Sequence, residues 1–116
     1  MFRTMLKSKI QRLTVTATEL YYEGSITIDA LLLKAANIYA GEKVEVLNLN
    51  NGSRIETYAI SGEKGSGVVC LNGPSARFAC KGDQVIVLAY AIVKDEEAAQ
   101  LCPRIVYVDN TNKLKN

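Results

Sequence analysis

Apolar and polar residues alternate along most of the chain, and β-branched side chains crowd the alternating stretches. A period of two rich in Val, Ile and Thr marks half-buried strands. It predicts strands at Arg3 to Lys9, Arg12 to Thr16, Lys43 to Leu49, Arg54 to Ile60, Gly67 to Leu71, Gln84 to Val93 and Arg104 to Val108. Asn51-Gly52 stands between two of them and predicts a tight type I′ hairpin turn, since both residues tolerate positive φ. Two stretches break the alternation. Asp29 precedes Ala30-Leu31-Leu32-Leu33-Lys34-Ala35-Ala36, an N-cap ahead of strong helix formers, with Asn37 or Gly41 to end the helix. Asp95 to Gln100 is a weaker helical stretch that stops before Pro103. Beyond Asp109 the chain turns polar, and residues 110–116 are expected to fray. The pattern as a whole predicts a single, mainly β domain over residues 1–116, a compact barrel with short helices.

Composition limits the chemistry more than the fold. A chain of 116 residues, 48% hydrophobic, has enough apolar surface for one modest core and none to spare for a second. The longest apolar run, Val85 to Val93, is about half the roughly 20 residues a membrane-spanning helix needs. The first residues, Met1 to Lys7, lack the pattern of a secretory leader, so a cytoplasmic protein is expected. Fourteen basic and twelve acidic residues are scattered without a basic block, which argues against a nucleic-acid partner. Cys70, Cys80 and Cys102 are odd in number and form no C-x-x-C pair, so they read as reduced thiols with no disulfide framework and no zinc site. The chain has no histidine, which removes imidazole acid-base chemistry, His-ligated metals and every Ser-His or Cys-His nucleophile at once.

What remains for catalysis is a short set of groups. Tyr21-Tyr22-Glu23-Gly24-Ser25 lies between the second strand and the first helix, where the chain must turn, and Gly-Ser pairs commonly mark only a turn. The same pair supports an N-to-O acyl shift, in which Ser25 Oγ attacks the Gly24 carbonyl. Elimination from the resulting ester then leaves dehydroalanine, which hydrolyses to a pyruvoyl group. On the strand after the hairpin, Arg54, Glu56 and Tyr58 share one face and Ile55, Thr57 and Ala59 the other. A regular strand holds Arg54 and Tyr58 about 13 Å apart, so one small substrate touches both only if the strand bends or a neighbouring subunit contributes. Lys7 and Lys9 share a face of the first strand. Asn72-Gly73-Pro74-Ser75-Ala76 reads as a loop that allows close backbone approach, and Gly82-Asp83 as a turn into the following strand.

Taken in order, Arg3-Thr4-Met5-Leu6, Lys9-Ile10, Tyr22-Glu23-Gly24-Ser25, Asn51-Gly52, Thr57-Tyr58-Ala59-Ile60, Gly65-Ser66-Gly67, Asn72-Gly73 and Gly82-Asp83 resemble the pyruvoyl-dependent aspartate 1-decarboxylases of bacteria. The resemblance covers nearly the whole chain. It implies a six- to seven-stranded double-psi β-barrel assembled as a homotetramer, with active sites between subunits. It implies self-cleavage into residues 1–24 and 25–116, with Gly24, Ser25 and Thr57 taking part. Ser25 becomes the pyruvoyl cofactor that forms a Schiff base with L-aspartate, which loses CO2 to give β-alanine for pantothenate biosynthesis. No metal and no pyridoxal phosphate is implied. Tyr58 would be the proton donor, Lys9 and Arg54 would hold carboxylates, and Thr57, Asn72, Gly73, Pro74 and Ser75 would line the substrate site. Two departures stand out: Pro74, which has no N–H to donate, in a loop that many relatives fill with alanine, and Gln11 where some relatives have histidine. The residues alone also fit a non-catalytic small β-barrel binding module, or a pyruvoyl decarboxylase acting on another amino acid.

Overall fold

A computed structural model describes residues Met1 to Lys115. The strands are β1 (Phe2–Thr14), β2 (Ala17–Glu19), β3 (Ser25–Asp29), β4 (Lys43–Asn48), β5 (Arg54–Gly62), β6 (Val69–Asn72), β7 (Gln84–Lys94) and β8 (Arg104–Tyr107). Helix α1 (Ala30–Ala36) follows β3, a 3₁₀ helix (Gly73–Phe78) follows β6, and α2 (Asp95–Ala98) follows β7. The strands form one eight-stranded sheet in the order β2-β6-β3-β5-β4-β7-β1-β8. β1 runs on through Val15 and Thr16 into β2, carrying the chain across to the other edge, where the Thr16 N–H donates to the Val69 carbonyl at 2.8 Å. The sheet is thereby wrapped into a small barrel. Ile10, Leu13, Ile26, Ile28, Val44, Val46, Ala59, Val69, Leu71, Val85 and Val87 fill its interior, and α1 adds Leu32, Leu33 and Ala36.

The barrel has eight strands where six or seven were expected, and the differences have local causes. β1 is one long strand rather than two, because irregularities in its pairing with β7 between Leu6 and Ser8, and between Ile10 and Leu13, absorb the break in alternation. β2 is too short to show a period, and β3 is buried along most of its length. The hairpin between β4 and β5 forms where expected, but it is not a type I′ turn. Residues 49–53 connect the strands, Gly52 alone takes positive φ (75°), and its N–H bonds back to the Asn48 carbonyl at 2.9 Å. The segment after Asn72 is a 3₁₀ helix rather than a loop, and α2 is a single turn.

The largest correction is at the C-terminal end, which does not fray through residue 115. Asn112 is buried at a left-handed φ of 61°. Its Oδ1 accepts from the Thr14 N–H at 2.8 Å, and its Nδ2 donates to the carbonyls of Thr14 and Gly67, both at 2.8 Å. Val108 and Leu114 form a β-bridge, and the Lys113 ammonium donates to the Gly65 carbonyl. Asp29 anchors the same region from inside. As N-cap of α1 it accepts from Leu31 N–H at 2.9 Å, and it also accepts from Gly65 N–H at 2.9 Å and Gly67 N–H at 2.8 Å. Burial alone would raise the Asp29 pKa; those three donors outweigh it and hold the carboxyl below its ordinary value. Among the described residues, no helix is long and apolar enough to cross a membrane.

Candidate active site

The Gly24-Ser25 pair is not simply a turn: Ser25 is the first residue of β3. That strand lies between β6, antiparallel with Ser25 opposite Asn72, and β5, parallel with Ile26 beside Ala59. Ile26, Ala59 and Leu71 point into the core. Alternation therefore turns Tyr58, Ser25 and Asn72 together onto the outer face, as a row across three strands about 4.8 Å apart.

Ser25 is completely buried. Its hydroxyl donates to the Glu23 carbonyl at 3.2 Å and accepts from Asn72 Nδ2 at 2.9 Å. The same Nδ2 donates to Thr27 Oγ1 at 2.9 Å, and the Asn72 Oδ1 accepts from the Cys70 thiol at 3.2 Å. On the other side of the Gly24–Ser25 bond sits the start of the 3₁₀ helix. Gly73 has φ +62°, and a Cβ built there would stand 2.6 Å from the Tyr22 carbonyl oxygen, 2.8 Å from Gly24 N and 2.9 Å from Gly24 Cα. The Gly73 backbone thus rests against Tyr22 to Gly24. A Cβ on Gly24 would lie 3.4 Å from Pro74 Cδ. Pro74 opens the 3₁₀ helix, where an N–H has no partner to lose, and Ser75 is buried just after it. Asn72, Gly73 and Pro74 thus pack around the Gly24–Ser25 pair, whose hydroxyl is bonded to Asn72 Nδ2 and to the Glu23 carbonyl.

Thr57 lies on the opposite face of β5 from Tyr58, paired with Val44 and half-buried. It is one residue before the row, level with the approach of Gly24, and does not hydrogen-bond to Ser25. Lys9 and Arg54 lie away from the row. Lys9, Leu88, Glu45 and Glu56 form one rung across β1, β7, β4 and β5. Lys9 is thus four strand positions from Ser25, roughly 19 Å measured around the wall. It makes no ion pair among the described residues, whereas Lys7 is held by Glu42 at 2.5 Å and the Asn37 carbonyl at 2.7 Å. Arg54 forks onto Glu45, Nη2 to Oε1 at 3.1 Å and Nε to Oε2 at 3.4 Å, and reaches the Tyr90 hydroxyl at 3.2 Å. Glu45 raises the Arg54 pKa, and the guanidinium in turn lowers that of Glu45. Burial, then Glu45, push the Tyr90 phenol up. A surface cavity of about 440 Å³ flanks this cluster, lined by Thr4, Lys43, Glu45, Glu56, Tyr90 and Ile92.

Residues 1–115 match the family model described as aspartate decarboxylase. The chain belongs to that family. An aspartate 1-decarboxylase of Caldicellulosiruptor bescii is 57% identical over 114 residues, 98% of this chain and 89% of the relative. One from Thermoanaerobacter pseudethanolicus is 53% identical over 116 residues, covering 100% of this chain and 99% of its own length. One from Neisseria meningitidis is 55% identical over 116 residues, 100% of this chain and 91% of the relative.

For an aspartate decarboxylase, the geometry divides the sequence-derived site in two. Gly24, Ser25, Asn72, Gly73 and Pro74 come together, with Tyr58 on the adjoining strand, Ser75 next along the 3₁₀ helix and Thr57 at their margin. Lys9 and Arg54 do not join them within one protomer. Sequence reasoning passed over Thr27 and Cys70, which the structure sets against Asn72. The two-residue spacing that puts Ser25 with Thr27, and Cys70 with Asn72, on one face was hidden, because no strand is predicted over Ser25 to Thr27 and the one predicted at Gly67 to Leu71 stops before Asn72.

Proposed function

We propose that the chain is the precursor of an aspartate 1-decarboxylase that cuts its own Gly24–Ser25 bond and then converts L-aspartate to β-alanine and CO2, a supply for pantothenate biosynthesis. The observation that carries the reading is the buried Ser25 hydroxyl, bonded to Asn72 Nδ2 and the Glu23 carbonyl and inaccessible to any outside substrate. A nucleophile with no solvent access is suited to act on its own chain. Oγ bonds to the Gly24 carbonyl carbon, the C–N bond breaks, and the proton passes to the freed amine, giving an ester. Loss of the Ser25 α-proton then expels the Gly24 carboxylate, and water replaces the nitrogen of the remaining dehydroalanine as ammonia leaves. Asn72 suits both stages, because its N–H stays on the oxygen that first loses a proton and later departs with negative charge.

The resulting pyruvoyl carbonyl supplies the electron sink for loss of the substrate's α-carboxylate. Tyr58 is assigned as the acid that returns a proton to carbon, a role supported by its position beside residue 25 on the neighbouring strand and its partial exposure. Arg54 presents a planar fork and Lys9 a free ammonium, both suited to carboxylates. Their distance from Ser25 within one protomer supports a homotetramer in which a neighbouring copy completes the site. Thr57, at the edge of the scissile bond, is assigned to self-processing and substrate contact, and the reaction to the cytoplasm.

A denaturing mass spectrum tests the reading. Mature protein should give residues 1–24 with a free carboxyl end and residues 25–116 blocked by pyruvoyl, while Ser25→Ala stays whole and inactive. A fully active preparation with an unbroken chain would refute it.

A further inference from the structure

The amide of Asn72 has two ends of nearly equal size, and only its polar neighbours decide which end faces Ser25. We propose that Cys70 and Thr27 are positioning residues for self-cleavage, which together hold the Asn72 side chain with its NH2 group on Ser25 Oγ. The inference rests on the reading that Gly24–Ser25 is cut, and it concerns two residues that reading does not use.

The four side chains form a square on the outer face of the barrel. Ser25 lies opposite Asn72 and Thr27 opposite Cys70, on the antiparallel pair β3 and β6. The two hydrogens of Asn72 Nδ2 are divided between Ser25 Oγ and Thr27 Oγ1, each at 2.9 Å. Its Oδ1 receives the Cys70 thiol at 3.2 Å. Both ends of the amide are therefore satisfied, and the end facing sulfur is well satisfied in this orientation only. Turning the amide over would place Oδ1 between the two hydroxyls and NH2 against sulfur, a weak acceptor. The Ser25 proton would then leave the Glu23 carbonyl for Asn72, and no N–H would remain to support charge on Oγ. Burial, with a further push from Glu19, raises the Cys70 pKa, so sulfur keeps the proton it donates. Cys70 and Asn72 are both buried, which shields the arrangement from competing water.

Cleavage is followed from synthesis in a cell-free translation mixture, by denaturing mass spectrometry at successive times. A neutral hydrogen bond of ordinary strength biases an equilibrium about two- to tenfold. Cys70→Ala should slow cleavage by about that factor, and Cys70→Ser should cleave at the wild-type rate because its hydroxyl still donates. Thr27→Val, which keeps the shape and removes the acceptor, should slow cleavage similarly. In an Asn72→Ala background, Cys70→Ala should add nothing. Serine and alanine are both smaller than cysteine, so a packing role predicts that both slow cleavage alike, and that result overturns the proposal. Wild-type rates for Cys70→Ala or Thr27→Val overturn it as well while leaving the cleavage reading intact. A wild-type chain that stays as whole as Ser25→Ala overturns both.

Discussion

Gly73→Ala tests how closely self-cleavage depends on the backbone that presses on the scissile pair. The substitution has two effects that can be separated. At φ +62° an alanine is strained, as left-handed backbone costs an L-residue roughly 1–2 kcal/mol. In addition the new methyl would stand 2.6 Å from the Tyr22 carbonyl oxygen and 2.8 Å from Gly24 N, where ordinary contacts begin near 3.4 Å. Relief requires Gly73 and the Tyr22 to Gly24 backbone to part by the better part of an ångström, right beside the Gly24–Ser25 bond. A misplacement of about 1 Å at reacting atoms costs on the order of 100-fold in rate. Gly52→Ala is the control, since its φ of +75° carries a similar strain while nothing lies within 4 Å of the added carbon. Both variants should melt lower than wild type, by about 4 °C per kcal/mol. Only Gly73→Ala should slow cleavage, by about 100-fold in a mass-spectrometric time course. Equal cleavage rates in the two variants would show that the Gly73 contact does not position Gly24, and would refute the reasoning.

Tyr58→Phe should cleave normally but lose about 10²- to 10⁴-fold in decarboxylase turnover, the usual contribution of a positioned acid; near-normal turnover would make Tyr58 only a wall of the site. Lys9→Ala and Arg54→Ala should each lower kcat/KM for aspartate by about 10- to 100-fold, from charged hydrogen bonds of roughly 1.5–3 kcal/mol, with glutamate a poor substrate in wild type; unchanged kinetics in either variant removes that residue from the site. Asp29→Asn should melt lower than wild type at pH 7, because an amide oxygen cannot replace a carboxylate that accepts three backbone N–H groups. The Asp29 pKa is depressed on folding, so its contribution is full above the ordinary value of 3.8 and is lost as pH falls through the folded value. The gap in melting temperature between wild type and Asp29→Asn should therefore narrow below about pH 4, and a constant gap down to pH 2 would contradict this.

The strands legible in the sequence were those with one face wet. β4 and β5 alternate in burial, so their periodicity survived into the fold. β3 was missed because Ile26, Ile28 and Asp29 are all buried and Asp29 doubles as a helix cap, which drew the eye to α1 instead. The tail misled for a related reason: a polar composition suggested solvation, yet the polar groups of Asn112 are used up by β1 and the Gly67 carbonyl. The functional residues reached through family resemblance divide along the same line. Those near Gly24–Ser25 depend on strand register, which one protomer supplies. Lys9 and Arg54 lie elsewhere on the wall, away from Ser25 within one protomer. Arg54 carries a further fact invisible to sequence: its Nε and Nη2 are already engaged by Glu45.

β1 lies between β7 and β8 and supplies β2 at the far edge of the sheet. A break at Gly24–Ser25 would consequently divide the polymer without dividing the body, for β1 stays held between β7 and β8, and β2 against β6. What changes is molecularity. The unbroken chain would close its own barrel by a first-order process, before any assembly of copies. The broken one must find its other half, so its melting midpoint rises with concentration and a dilute denatured sample recovers little. Such a cut would turn a reversible fold into a kinetically guarded one, whose lifetime is set by how often the piece carrying β1 and β2 slips out of its place.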